Sequence, residues 1–186
     1  LRTNFSFFSF FFFQIHYFQR SFIFPFRLRG KSSMAISVVA IGVVFNLLNA
    51  VMQGGWIFYV SSSDYYTLSW LWSPQFVIGT LVFFMGMIIN QQSDNIIRNL
   101  RKNGNETYHL PQKGMFKYVT SANYFGELVE WIGFAVLTWS WAGAVFAVWT
   151  FANLAPRAAK IHKQYKRDYP DQIKNSTLKC IIPFIY

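Results

Sequence analysis

The sequence predicts an all-α protein, a multi-span helical transmembrane bundle, on three observations. Hydrophobic residues make up 53% of the 186 positions and aromatics 21%, with 22 Phe, whereas charged residues are only 13%, about half the share usual in a soluble domain. Two uncharged runs, residues 34–60 and 72–93, are each long enough as helix to cross the roughly 30 Å of bilayer hydrocarbon. The net charge of +10 sits in short Lys and Arg clusters between uncharged runs. That is the pattern of cytosolic loops flanking spans, and it argues against a nucleic-acid-binding surface.

Taken in order, the chain opens at Leu1, and seven of the nine residues from Phe5 to Phe13 are Phe. With no basic n-region and no small-residue cleavage site, this stretch does not read as a signal peptide. Residues 1–15 form a low-complexity Phe-rich start, part of a span or the edge of a truncated sequence. Residues 16–186 read as one membrane domain without internal repeats, a C-terminal piece of a longer protein. The run 34–60 is the first clear span. The connector to the next carries Asp64 but no Lys or Arg, so it is expected on the lumenal side. Arg27, Arg29 and Lys31 before the first span, and Arg98, Arg101, Lys102, Lys113 and Lys117 after the second, mark the cytosolic side.

Residues 119–155 are too long for one crossing and are followed by Arg157, Lys160, Lys163, Lys166 and Arg167. Positive flanks at both ends require an even number of crossings, so two helices of about 17 residues are expected, turning near Trp139 to Gly143. The ending Ile181-Ile182-Pro183-Phe184 is too short to span and is expected to dock at the interface. On this topology Asn105 and Asn175 face the cytosol, and both should be unglycosylated although they match the acceptor pattern. A single cysteine, Cys180, excludes an internal disulfide. His16, His109 and His162 lie far apart without zinc-helix spacing, so no metal is expected.

Polar groups inside the apolar framework are the candidates for chemistry. Asn123, Glu127 and Glu130 follow i, i+4, i+7 spacing and share one face of a helix at the mouth of an apolar run. A charged side chain in hydrocarbon costs about 2.5–3.5 kcal/mol on insertion scales, so such residues persist mainly where they have a function. The alternative is interhelical hydrogen bonding that holds the bundle together. Asn90, Asp94, Arg98 and Arg101 form a second polar stripe, from the end of the second span into the following loop. It reads as a surface for a polar ligand or as a capped helix end. Tyr17 and Arg20 read as an interfacial aromatic beside a snorkelling arginine or as a site. Arg157, His162 and Tyr165 read as an amphipathic cytosolic helix or as part of a site.

These pieces occur together, and in order, in one known family. The segments His16-Tyr17-Phe18-Gln19-Arg20-Ser21-Phe22, Gly86-Met87-Ile88-Ile89-Asn90-Gln91-Gln92-Ser93-Asp94, Leu100-Arg101-Lys102, Gly114-Met115-Phe116-Lys117-Tyr118-Val119, Ala122 through Trp131, and Ile182-Pro183-Phe184 closely resemble the steroid 5-alpha-reductases. The Asn-Tyr-Phe-Gly-Glu segment followed by Glu-Trp is the part most specific to the steroid branch. Residues 16–186 would then be that family's C-terminal membrane domain, four to five spans of a seven-helix fold. The resemblance implies a multi-pass protein of the endoplasmic reticulum membrane that binds NADPH and a 3-oxo-Δ4-steroid, with no obligate protein partner. It implies reduction of the Δ4 bond to give a 5-alpha-3-oxo-steroid. By position, Asn90, Asp94, Arg101, Tyr108, Asn123, Glu127, Arg157 and Tyr165 match residues the family uses around the cofactor, and Arg20 is placed to meet a phosphate. Tyr17 matches the family's catalytic tyrosine, which hydrogen-bonds the steroid 3-oxo group. No GxGxxG follows a strand, so the cofactor site would not be a Rossmann site.

The family's catalytic glutamate lies on an earlier helix that this chain is expected to lack, so the chain alone is expected to be inactive. Lys113 stands for the first of two glycines, Phe24 for a tyrosine of mammalian relatives, and Ile161 for one member of a histidine pair. Two other readings remain: a sister reductase acting on a polyprenol or an enoyl-CoA, and a catalytically incomplete membrane fragment.

Overall fold

The computed structural model describes residues 4–27, 35–100, 109–173 and 177–186. The described residues are all-α, with one isolated β-bridge, between Val119 and Lys179. The principal helices are α1 (Asn4–Phe18), α3 (Ile36–Gly55), α4 (Pro74–Leu100), α5 (Ala122–Thr138) and α6 (Trp141–Asp168), with short helices α2 (Phe24–Arg27) and α7 (Pro170–Ile173). Arg29, Lys31, Arg101, Tyr108, Asn105 and Asn175 lie outside the described residues, and so do the expectations attached to them. The fold separates into two compact units, Leu1–Leu81 with Ile132–Phe146, and Val82–Trp131 with Ala147–Tyr186.

In the first unit, α3 turns most of its apolar residues outward and two of its three amides inward, Asn46 being exposed. Ile36, Ile41, Leu47, Leu48 and Val51 are exposed, whereas Asn49 and Gln53 are buried. This reverses the rule for water-soluble helices and is what hydrocarbon solvent selects. Together with the five-residue π-helical extension Trp56–Val60, α3 is one of two helices among the described residues that are long and apolar enough to cross a membrane; the other is α4. At 1.5 Å per residue, the 20 residues of α3 alone span about 30 Å. The Phe-rich start is helical, and Phe7 and Phe10 meet Phe58 with ring centroids 5.1 and 5.5 Å apart. A second π-helical stretch, Gln19–Ile23, follows α1.

The connector 61–73 caps a helix end. The last carbonyls of a helix lack intrahelical partners, and here three successive ones receive side-chain donors. Trp70 Nε1 donates to Leu137 O at 3.2 Å, Tyr66 Oη to Thr138 O at 2.8 Å, and Tyr65 Oη to Trp139 O at 3.1 Å. Burial raises the pKa of both tyrosines, so they remain neutral donors. The turn between α5 and α6 takes only Trp139 and Ser140, with Trp139 in the left-handed region at φ 45°. Ser140 then caps α6, its Oγ accepting from Gly143 N at 2.9 Å. At the start of α4, Ser73 Oγ accepts from Phe76 N at 3.2 Å, with Pro74 at the first helical position.

The expected turn within 139–143 therefore sits at its beginning, but the second helix is longer than expected. Instead of about 17 residues, α6 has 28 and absorbs both Pro156 and the basic stretch. Pro156 is exposed. It forfeits one backbone hydrogen bond at the surface, and the helix continues past it with Leu154 and Ala158 packed on either side.

In the second unit, two clusters anchor the chain around the start of α5. Phe116, Val119 and Ala122 pack with Ile96, Ile97 and Phe125; Leu154, Ala158 and Ile181 pack with Tyr124 and Ile182. The terminal segment is fastened by Lys179 N to Tyr118 O at 3.0 Å, Thr120 N to Lys179 O at 2.9 Å and Ser121 N to Cys180 O at 3.1 Å. Ile181 is fully buried while Phe184 and Ile185 are exposed. The ending thus docks on protein through Ile181, with Cys180 and Ile182 packed beside it, while Phe184 and Ile185 stay largely outward.

Candidate functional site

The second unit builds its polar group where α4 and α5 approach closely. They run antiparallel: a Cβ on Gly86 would lie 2.2 Å from Glu130 N, and one on Gly126 would lie 2.4 Å from Asn90 N. Only glycine permits backbones this near. The approach brings Asn90 Nδ2 to 2.9 Å from Asn123 O and Asn123 Nδ2 to 3.3 Å from Asp94 Oδ1. Three residues from two sequence stripes thus form one hydrogen-bonded group. Glu127 lies one helical turn beyond Asn123 and is half-buried, and Glu130, a turn further, is almost fully buried.

This group suits a ligand that presents hydroxyls or a carboxamide. Asn offers both donor and acceptor, while the carboxylates of Asp94 and Glu127 accept from hydroxyl or amide N–H groups. Arg98, the stripe's one basic residue within the described residues, donates from Nη2 to Asn95 Oδ1 at 2.6 Å. Arg157 is exposed on α6, and Tyr165 is buried two turns further along, its ring 6.3 Å from that of Tyr169. His162 is buried on the same helix, its Nδ1 3.2 Å from Thr120 Oγ1. Burial first, then Lys166 and Lys179, hold its pKa below the usual histidine value.

In the first unit, Tyr17 stands at the end of α1, half-buried, with its ring 4.6 Å from Phe13 and 5.2 Å from His16. Its hydroxyl receives Asn49 Nδ2 at 3.0 Å. Behind it, Gln53 Nε2 donates to Asn49 Oδ1 at 3.2 Å and to Ala142 O at 3.0 Å. Arg20 lies in the π-helical stretch, with its guanidinium carbon 4.2 Å from the centroid of the Phe24 ring. That is a cation–π contact. Asn49 and Gln53 carry no charge, so they leave no mark in the charge pattern that defines the run 34–60. Two amides four apart in an uncharged span were the available signal.

Comparison with known proteins gives the family. The family model described as 3-oxo-5-alpha-steroid 4-dehydrogenase matches residues 32–186. The chain is 43% identical over 182 residues to steroid 5-alpha-reductase DET2 of Arabidopsis thaliana, covering 92% of this chain and 67% of that protein. It is 41% identical over 173 residues to 3-oxo-5-alpha-steroid 4-dehydrogenase 1 of Bos taurus, covering 93% and 65%, and 41% identical over 174 residues to the Homo sapiens protein of the same name, covering 94% and 65%. The chain spans about two thirds of the length of these curated relatives. On the family match over most of its length and on these identities, the chain belongs to the 3-oxo-5-alpha-steroid 4-dehydrogenase family.

Proposed function

We propose that the protein carrying this chain reduces the Δ4 double bond of a 3-oxo-steroid with NADPH, at the endoplasmic reticulum membrane, giving the 5-alpha-3-oxo-steroid. The observation that carries this reading is family membership over the segment from Ala122 to Trp131, where Asn123 joins Asn90 and Asp94 in one hydrogen-bonded group. That group, with Glu127, fits the carboxamide and ribose hydroxyls of a nicotinamide nucleotide; on the family resemblance alone, Arg20, Arg101 and Arg157 are assigned to its phosphates. Tyr108 and Tyr165 complete the assigned cofactor contacts. NADPH, when bound, supplies a hydride.

Tyr17 is assigned to the steroid carbonyl. Addition of hydride at C5 moves an electron pair through C4 to the 3-oxo oxygen, and a hydroxyl donor there stabilises the developing negative charge. C4 then takes a proton, and the carbonyl re-forms. A preorganised donor of this kind is typically worth about 10²–10³ in kcat.

The test uses membranes containing the full-length protein, NADPH, and three substrates offered separately: a 3-oxo-Δ4-steroid, a polyprenol and a 2-enoyl-CoA. Gain of two hydrogens by the steroid alone supports the proposal. Reduction of the polyprenol or the enoyl-CoA in its place would assign the protein to a sister activity.

A further inference from the structure

We propose that Asn49 and Gln53 form a one-way hydrogen-bond relay that positions the Tyr17 hydroxyl and fixes the direction of its proton. The proposal rests on the assignment of Tyr17 to the substrate carbonyl made above. Its basis is a chain of three contacts whose polarity has only one solution. A backbone carbonyl can only accept, so the contact at 3.0 Å to Ala142 O must come from the Nε2 amide of Gln53. That sets the Gln53 amide, whose second N–H then meets Asn49 at 3.2 Å and requires the Asn49 oxygen there. With its oxygen committed, Asn49 turns Nδ2 toward Tyr17, and the phenolic oxygen 3.0 Å away must accept. The hydroxyl proton of Tyr17 therefore does not lie along the line to Asn49.

Two consequences follow for a tyrosine that serves a carbonyl. Its proton is directed away from Asn49, and the N–H donated by Asn49 stabilises negative charge on the phenolic oxygen, which makes the hydroxyl a stronger donor as charge develops on the substrate. The setting strengthens the argument. Asn49 and Gln53 are 3% and 1% exposed, on a helix most of whose apolar residues face outward and which is long enough to span a membrane. Amides in such a place are costly unless fully bonded. Ala142 lies in the first turn of α6, just after the Ser140 cap, so the relay starts from a rigid backbone point.

Interhelical hydrogen bonding for stability alone would produce the same contacts, and a double-mutant cycle separates the two roles. Tyr17→Phe, Asn49→Leu and the double variant are expressed as full-length protein in membranes, with kcat, steroid KM and NADPH affinity measured for each. If the relay acts through the hydroxyl, Asn49→Leu lowers kcat about tenfold, the scale of one hydrogen bond, and leaves NADPH affinity unchanged. In the Tyr17→Phe background it then lowers kcat no further. Should Asn49→Leu fail to accumulate, Asn49→Ser, too short to bridge the contact, goes through the same cycle. Equal loss from the Asn49 substitution in both backgrounds, or no loss in either, would overturn the relay while leaving the functional reading intact. If Tyr17→Phe alone retained full kcat, the assignment of Tyr17 itself would fall.

Discussion

Replacing Gly126 by alanine tests the tightest feature of the cofactor-side group. The added Cβ would stand 2.4 Å from Asn90 N, 2.8 Å from Asn90 Cα and 2.8 Å from Gly86 O, where ordinary contact begins near 3.4 Å. All three neighbours are backbone atoms and cannot rotate aside, so α4 and α5 must part by roughly 1 Å at this level. Overpacking of this kind costs about 1–3 kcal/mol. The same displacement lengthens the 2.9 Å bond from Asn90 and the 3.3 Å bond from Asn123 past useful range, adding about 1 kcal/mol for each. Gly42→Ala is the matched control, since nothing lies within 4 Å of a Cβ there and alanine favours helix by up to about 1 kcal/mol. Thermal unfolding in detergent should show Gly126→Ala losing several degrees while Gly42→Ala holds or gains, at about 2–4 °C per kcal/mol. NADPH affinity, by equilibrium titration, should fall only for Gly126→Ala. Equal melting temperatures for the two variants would refute the close approach, and with it the reasoning that this approach assembles the site.

Glu127→Gln keeps shape but replaces an acceptor oxygen with a donor, so NADPH affinity should fall roughly tenfold; unchanged affinity and turnover would leave Glu127 with a packing role only. His162, whose pKa lies below its ordinary value, binds fewer protons folded than unfolded. Its contribution to stability is therefore present above about pH 6.5 and lost as pH falls through the lowered folded value. Between pH 7.5 and 5 the melting temperature should drop more for the unmodified protein than for His162→Gln, and parallel curves would contradict the buried neutral histidine on Thr120.

Much of the fold was legible because hydrocarbon imposes a simple rule on sequence. The charge-free runs 34–60 and 72–93 became α3 with its extension and the body of α4, and the length of 119–155 demanded a turn where Trp139 and Ser140 make one. The reach of α6 was not legible, since Pro156 ordinarily marks an end and only packing around Leu154 and Ala158 carries the helix past it. Nor was the docking of the terminal segment, because one β-bridge at Lys179 leaves no periodic signal. Within the site, the i, i+4 spacing of Asn90 and Asp94 and the position of Asn123 foretold shared faces. Their meeting depended on Gly86 and Gly126, whose role appears only once the two helices are paired. The amides behind Tyr17 are hidden for another reason: charge alone does not distinguish positions within an uncharged run, and burial singles out Asn49 and Gln53 while leaving Asn46 exposed.

The most direct measurement is the fate of label from NADPH deuterated at C4 of the nicotinamide, incubated with a 3-oxo-Δ4-steroid and membranes containing the full-length protein. The steroid product should be 5-alpha-reduced, with one deuterium at C5 and a solvent-derived proton at C4, and Tyr17→Phe should slow its formation about 10²-fold or more without moving the label. A steroid recovered with its Δ4 bond intact, or a reduced product without deuterium at C5, would contradict the account.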